Sequence, residues 1–207
     1  MTNDRFSEPE RFLMKKWDDV TMLQQSIESI SDKYDVICRE VLEAVREKFP
    51  ELDTSRVRPD SDSDGRQIAL GKKRWPRMWD GWPSGLWVSG IGLEYLTSET
   101  EDPPGASIWL RPPTSLGFEP SNARNRVCRE AKKLMSDDQF RRCSTDDDRW
   151  TCLWYTLPES RQALLAMLLK DQAKDFVDCM VSHFEVLAKF IPVVDELLLV
   201  KNRVRRI

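Results

Sequence analysis

The feature that most constrains this chain is a run of apolar residues spaced alternately three and four positions apart. It starts at Val20, ends at Ala44 and passes through Leu23, Ile27, Ile30, Tyr34, Ile37 and Val41. This heptad spacing places an apolar seam along one face of an α-helix. Asp18 or Asp19 can cap the start, and Pro50 ends the helix. We therefore predict one helix that is roughly 45 Å long at 1.5 Å per residue.

A helix of that length extends beyond the core of a small domain. We therefore expect part of its seam to meet another helix or a second chain, and the seam residues are Leu23, Ile27, Ile30, Tyr34 and Ile37. Residues 1–16, which precede the helix, are polar, and we expect them to be a flexible tail.

The rest of the chain alternates between strand-like and helix-like patterns. Strands are predicted at 67–70, 86–96, 106–111 and 150–157, and Gly90 and Gly92 suggest a bulge in the second of them. Helices are predicted at 122–135, 159–169, 172–191 and 193–204, with a break at Pro192. The predicted fold is a single α+β domain over residues 1–207. It has a long N-terminal helix, a small antiparallel sheet of about four strands, and a helical C-terminal half.

Composition indicates a globular protein of a reducing compartment. Hydrophobic residues make up 40% of the chain and charged residues 32%, so the chain can form a packed core. The five cysteines are odd in number and widely spaced, and the first residues lack the pattern of a signal peptide. No apolar run approaches the ~20 residues of a membrane span. We expect a cytoplasmic protein with five reduced thiols and no membrane partner.

Aromatic and basic residues concentrate in the middle of the chain. Seven of the eight tryptophans lie between Trp75 and Trp154. Basic groups interleave with three of them in a tract that can grip phosphates and stack on bases, or anchor a protein partner. The alternative is a loop whose tryptophans turn inward. The tract comprises Lys72, Lys73, Arg74, Trp75, Arg77, Trp79 and Trp82.

Two sets of residues have partial metal-ligand spacing. Asp60, Asp62 and Asp64 precede Gly65 as in a calcium loop, but position twelve is Gly71 where a glutamate is required. Cys179 and His183 lie one helical turn apart, and a tetrahedral site needs two further ligands. The chain has a single histidine and no phosphate-binding glycine motif, so we expect no catalytic residue and no cofactor.

Three segments resemble the region that follows the nuclease core in bacterial PD-(D/E)XK superfamily proteins. They are WDGWPSGLWVSGIGLEYL (79–96), WTCLWYTLP (150–158) and FIPVVDELL (190–198). The nuclease signature does not accompany them. No Glu-x-Lys strand follows Pro59-Asp60, and the letters Glu130-Ala131-Lys132 fall in a predicted helix. The resemblance therefore implies an accessory module of bacterial or phage conflict systems and carries over no catalytic residue.

Three hypotheses of function follow. The first is a non-enzymatic protein-interaction or regulatory module of a bacterial or phage defence or counter-defence system, which binds another protein or itself through the N-terminal helix. The second is a nucleic-acid-binding accessory factor of a nuclease, which uses the basic tract and the basic face of the helix at 122–135. The third is a metal-dependent nuclease built on the three aspartates.

Overall fold

The computed structural model describes residues 6–54, 68–75, 84–92, 96–97, 103–110, 120–144, 151–170 and 172–199. They divide into two compact units. The helical unit comprises the described residues up to Ile37, and the sheet unit begins at Cys38.

Two helices occupy the N-terminal part of the chain. Helix α1 spans Glu8–Lys15 and lies within the stretch that the sequence predicted as a tail. Local signals explain it, because Pro9 lies in the first turn and the Ser7 N–H donates to Glu10 Oε2 at 2.6 Å. Helix α2 spans Trp17–Lys48 and is the predicted long helix, with its end two residues before Pro50.

The sheet unit is built around an antiparallel sheet with the strand order β1-β2-β3-β4-β6-β5. Leu70, Leu86, Ile108 and Leu153 lie side by side across its four longer strands. These four strands and the long helix confirm the predicted α+β class. The strands are β1 (Asp53–Thr54), β2 (Ile68–Gly71), β3 (Gly85–Ser89), β4 (Gly105–Trp109), β5 (Cys143–Ser144) and β6 (Thr151–Thr156).

Two glycines shape the centre of this sheet. Strand β3 ends at Ser89, well before the predicted end at residue 96, because Gly90 adopts a φ of 71° that takes the backbone out of the strand conformation. At Gly105 a side chain would lie 2.0 Å from the Trp154 ring, so a glycine is needed for that ring to pack there.

Five helices whose bounds lie within the described residues follow β4 in the sheet unit. Helix α4 and strand β5 lie in the polar stretch 136–149, where the sequence predicted no regular structure. Pro192 stands in the first turn of α7 rather than before the helix, because a proline there sacrifices no helical hydrogen bond. The helices are α3 (Pro120–Leu134), α4 (Asp137–Arg141), α5 (Arg161–Leu169), α6 (Ala173–Ala188) and α7 (Ile191–Leu199).

Buried residues lie on both faces of the sheet. Helix α6 packs against β3 and β4, and α3 packs against β6, over the buried residues Ile68, Leu86 and Leu153. On the other face the rings of Trp87 and Trp109 stack with centroids 5.2 Å apart. Part of the tryptophan-rich region therefore serves packing of the sheet itself.

Within the described ranges, no helix combines the length and the apolar character that crossing a membrane requires. The described cysteine side chains at 38, 128, 143 and 179 form no disulfide with one another.

Candidate functional sites

The predicted basic and aromatic tract follows β2, and its first four residues are described. Three of these four residues contact Asp195 of α7. The Trp75 Nε1–H donates to Asp195 Oδ1 at 2.7 Å. Lys72 Nζ and Arg74 Nη2 each lie 2.7 Å from the other carboxylate oxygen. We call Asp195, Lys72, Arg74 and Trp75 the Asp195 cluster. Arg77, Trp79 and Trp82 lie outside the described residues.

The Asp195 cluster joins the end of β2 to the last helix. The Trp75 ring is buried, Lys72 Nζ lies 5.9 Å from the centre of that ring, and the Lys72 side chain is only 12% exposed. Burial raises the pKa of Asp195, but hydrogen bonds from Lys72 and Trp75 and the charges of Lys72 and Arg74 outweigh it, so the pKa lies below its ordinary value. At this part of the tract the tryptophan turns inward, and two of the cations neutralise a carboxylate of the same chain.

An open cleft of about 560 Å³ lies beside the cluster. Lys73 and Arg46 line it with exposed side chains, and neither pairs with any residue that the structure describes. Glu51 is the acidic residue of the lining. The free basic charge that the described part of the tract leaves for an anion is therefore small.

The basic face of α3 is largely engaged within the chain. Arg126 pairs with Glu196 of α7, and Lys133 pairs with Glu130 one turn away at 2.9 Å. Lys132 Nζ lies 5.7 Å from the centre of the Phe140 ring. In these contacts the cations already interact with groups of the same chain, so they are less available to bind phosphates.

The single histidine is the centre of a second polar cluster. His183 of α6 is only 5% exposed. Its Nδ1 lies 2.8 Å from the Tyr155 hydroxyl of β6, and its Nε2 lies 2.9 Å from Glu159 Oε2. Cys179, one turn earlier on α6, places its Sγ 3.7 Å from the same Nε2. We call Tyr155, Glu159, Cys179 and His183 the His183 cluster.

One tautomer satisfies both ring nitrogens. With the proton on Nε2, the ring donates to Glu159 and accepts the Tyr155 hydroxyl proton at Nδ1. Burial lowers the pKa of His183, against the opposing charge of Glu159, so a neutral ring is favoured.

The thiol of this cluster is not an activated nucleophile. Burial, together with the charge and hydrogen bond of Glu159, raises the pKa of Cys179 to about 12. Burial and the charge of Glu159 also raise the pKa of Tyr155. Glu159 and Cys179 both contact Nε2, so the histidine does not bridge them as the base of a catalytic triad does.

The sequence pointed to Cys179 and His183 but missed Glu159 and Tyr155. The pair on α6 follows from its one-turn spacing. Glu159 directly precedes Ser160, the N-cap of α5, and looks like an ordinary residue of a helix start. No local signal connects it with a histidine 24 residues later.

Most of the exposed large apolar side chains among the described residues belong to the helical unit. Of the eleven exposed large apolar residues among the described ones, ten lie between Phe6 and Val36. In the predicted seam, Leu23 is 62% exposed, Ile27 58% and Ile30 50%. Further along, Tyr34 is buried and Ile37 half-buried.

The remaining predicted site, Asp60, Asp62 and Asp64, lies outside the described residues. The chain matches no family model, and the comparisons with curated proteins and with solved structures gave no match. The resemblance to the region after the PD-(D/E)XK nuclease core therefore stays a prediction.

Proposed function

We propose that this protein is a non-enzymatic interaction module that associates with a second copy of itself through α2. The observation that carries this proposal is the concentration of exposed large apolar side chains in the helical unit. The contact surface is the outer seam of α2, which we define as Val20, Leu23, Ile27 and Ile30.

The outer seam has the energetics of an interface. Three of its residues are at least half exposed, and burial of apolar surface stabilises by about 25 cal/mol per Å². Large contiguous apolar patches on a soluble protein mark sites of association. The heptad spacing suits a partner helix, because knobs-into-holes packing inserts each such side chain between side chains of the facing helix.

The charges beside the outer seam favour a second copy in antiparallel orientation. Asp19 and Lys33 flank the seam near its two ends, and the flanking positions between them hold Gln24, Ser26 and Ser31. When Leu23 packs opposite Ile27 of the second copy, Asp19 comes opposite Lys33 of that copy at both ends. A parallel pair would instead place Asp19 opposite Gln24, without charge complementarity. The two ion pairs select the orientation, since exposed pairs contribute only about 0.2–1 kcal/mol each.

Sedimentation of the full chain tests self-association. We expect a dimer for the native sequence and a monomer for Ile27→Asp, because a charge buried in the seam has no partner. Leu169→Asp is the matched control, since Leu169 is 76% exposed and lies on α5, outside the seam. A native chain that is monomeric at tens of micromolar, or an equal effect of Leu169→Asp, would refute the proposal.

A charge exchange tests the orientation. Asp19→Lys and Lys33→Asp should each weaken the dimer, because each puts like charges together at both ends. The double variant should restore it. Weakening that the double variant does not reverse would exclude the antiparallel pairing while leaving the seam itself in place.

Nucleic-acid binding is a second candidate, which the exposed Lys73 and Arg46 of the cleft favour. Binding of a labelled oligonucleotide should then weaken steeply with salt and be lost in Lys73→Glu. A cytoplasmic location and a place in a bacterial or phage defence system belong to the proposal as well. They rest on the reduced-thiol composition and on the sequence resemblance, respectively.

A further inference from the structure

The His183 cluster brings together three side chains of the kinds that bind transition metals. A nitrogen, a sulfur and a carboxylate oxygen converge from His183, Cys179 and Glu159, and the three atoms lie within 4.8 Å of one another. Two of the ligands come from one face of α6, and the third comes from the segment before α5. Each ligand therefore sits on or next to a regular element.

The separations suit a tetrahedral ion. Zinc lies about 2.3 Å from a thiolate and about 2.0 Å from imidazole nitrogen or carboxylate oxygen, so its ligand atoms stand about 3.3–3.6 Å apart. His183 Nε2 is 3.7 Å from Cys179 Sγ and 2.9 Å from Glu159 Oε2. Shifts of a few tenths of an ångström at the ends of the side chains would bring both separations to the values of a tetrahedral site.

We propose that Glu159, Cys179 and His183 bind one Zn²⁺ ion. This site is independent of the self-association proposed for α2. Two anionic ligands and a neutral imidazole balance the charge of the ion, which suits a half-buried position. A mixed set of sulfur, nitrogen and oxygen donors favours zinc over magnesium or calcium, which take oxygen ligands.

Tyr155 orients the histidine for this purpose. When zinc occupies Nε2, the ring proton resides on Nδ1 and is donated to the Tyr155 oxygen 2.8 Å away. The hydroxyl then changes from donor to acceptor. Zinc displaces one proton, from the Cys179 thiol, and the imidazole keeps its single proton by the change of tautomer. Tyr155 is thus a positioning residue.

The ion has a route to the site from the surface. The Glu159 side chain is 25% exposed and Cys179 is half-buried, so the cluster reaches the surface on that side. Three protein ligands leave the fourth tetrahedral position to water or to a further ligand. Bound zinc would clip the start of α5 to α6.

Competition with a chromogenic zinc chelator on the reduced full chain tests the site. We expect one zinc per chain and a higher Tm with zinc than after dialysis against chelator. Cobalt should give a thiolate charge-transfer band, which reports a Cys–metal bond directly.

Variants then separate this site from incidental metal binding. Cys179→Ser should abolish the cobalt band, and Glu159→Gln, at the partly exposed edge, should weaken zinc binding without unfolding the chain. Tyr155→Phe should weaken zinc binding about 10- to 100-fold. The control is Cys128→Ser, a half-buried thiol of α3 outside the cluster, which should change nothing. No zinc uptake by the native chain, or uptake that Cys179→Ser and Glu159→Gln leave intact, would overturn the proposal.

Discussion

Ile27 and Leu164 are apolar residues on helices of the same chain, yet one is 58% exposed and the other fully buried. Ile27 belongs to the helical unit, whose described residues include no strand. Leu164 belongs to α5, which packs on α6 in the sheet unit. The difference teaches that periodicity identifies the apolar face of a helix, whereas only tertiary structure identifies what covers it.

The two units also differ in how they use charge. In the helical unit, Lys16 pairs with Asp19 three residues away, and both side chains are more than half exposed. In the sheet unit, Asp195 holds Lys72, Arg74 and Trp75 from more than 100 residues away in the sequence. Ion pairs of the first kind contribute little to stability, whereas removal of either partner from a partly buried pair between distant elements is destabilising.

The largest expected effect is a difference in stability loss between a buried apolar residue of the sheet unit and an exposed apolar residue of the helical unit. Phe184→Ala removes a fully buried ring of α6 and should lower the free energy of unfolding by about 3–5 kcal/mol. Ile27→Ala, measured where the chain is monomeric, should change it by no more than about 0.5 kcal/mol. Urea unfolding followed by tryptophan fluorescence measures both. Comparable losses in the two variants would show that the outer seam is buried within one chain.

A smaller effect is expected at the two aspartates. Asp195→Ala leaves the Trp75 N–H and the half-buried Lys72 ammonium without their acceptor, and should cost about 1–3 kcal/mol. Asp19→Asn is the exposed counterpart and should cost less than about 0.5 kcal/mol. Thermal unfolding of both variants checks the difference. An unchanged Tm for Asp195→Ala would mean that the Asp195 cluster is not part of the stable sheet unit.

The smallest effect is a pH dependence confined to the sheet unit. The folded pKa of His183 lies below its ordinary value of 6.5, so the unfolded chain takes up a proton first as the pH falls. The free energy of unfolding should therefore decrease as the pH drops below about 6.5 and level off below the folded pKa. In His183→Gln this contribution should vanish. The comparison is made in chelator, so that zinc does not contribute, and identical slopes for the two proteins would contradict the depressed pKa.

The helices and strands that depend on neighbouring residues in the sequence were predictable. The bounds of α2 followed from its heptad and Pro50, and the positions of β3 and β4 followed from their strand-like patterns. Helix α1 was not predicted, because it is short and lies in a polar stretch of the sequence. Strand β3 was predicted too long because a glycine that forms a bulge within a strand and a glycine that ends a strand have the same sequence signature.

The side-chain clusters could not be predicted from the sequence, for a different reason. The sequence by itself determined which segments are helices or strands, which faces are apolar, and that Cys179 and His183 share a helical turn. Only the tertiary structure decided that Trp75 turns inward to Asp195 and that Glu159 and Tyr155 join His183. Periodicity encodes contacts over one or two turns, whereas contacts across 24 to 120 residues depend on how the sheet and its helices pack.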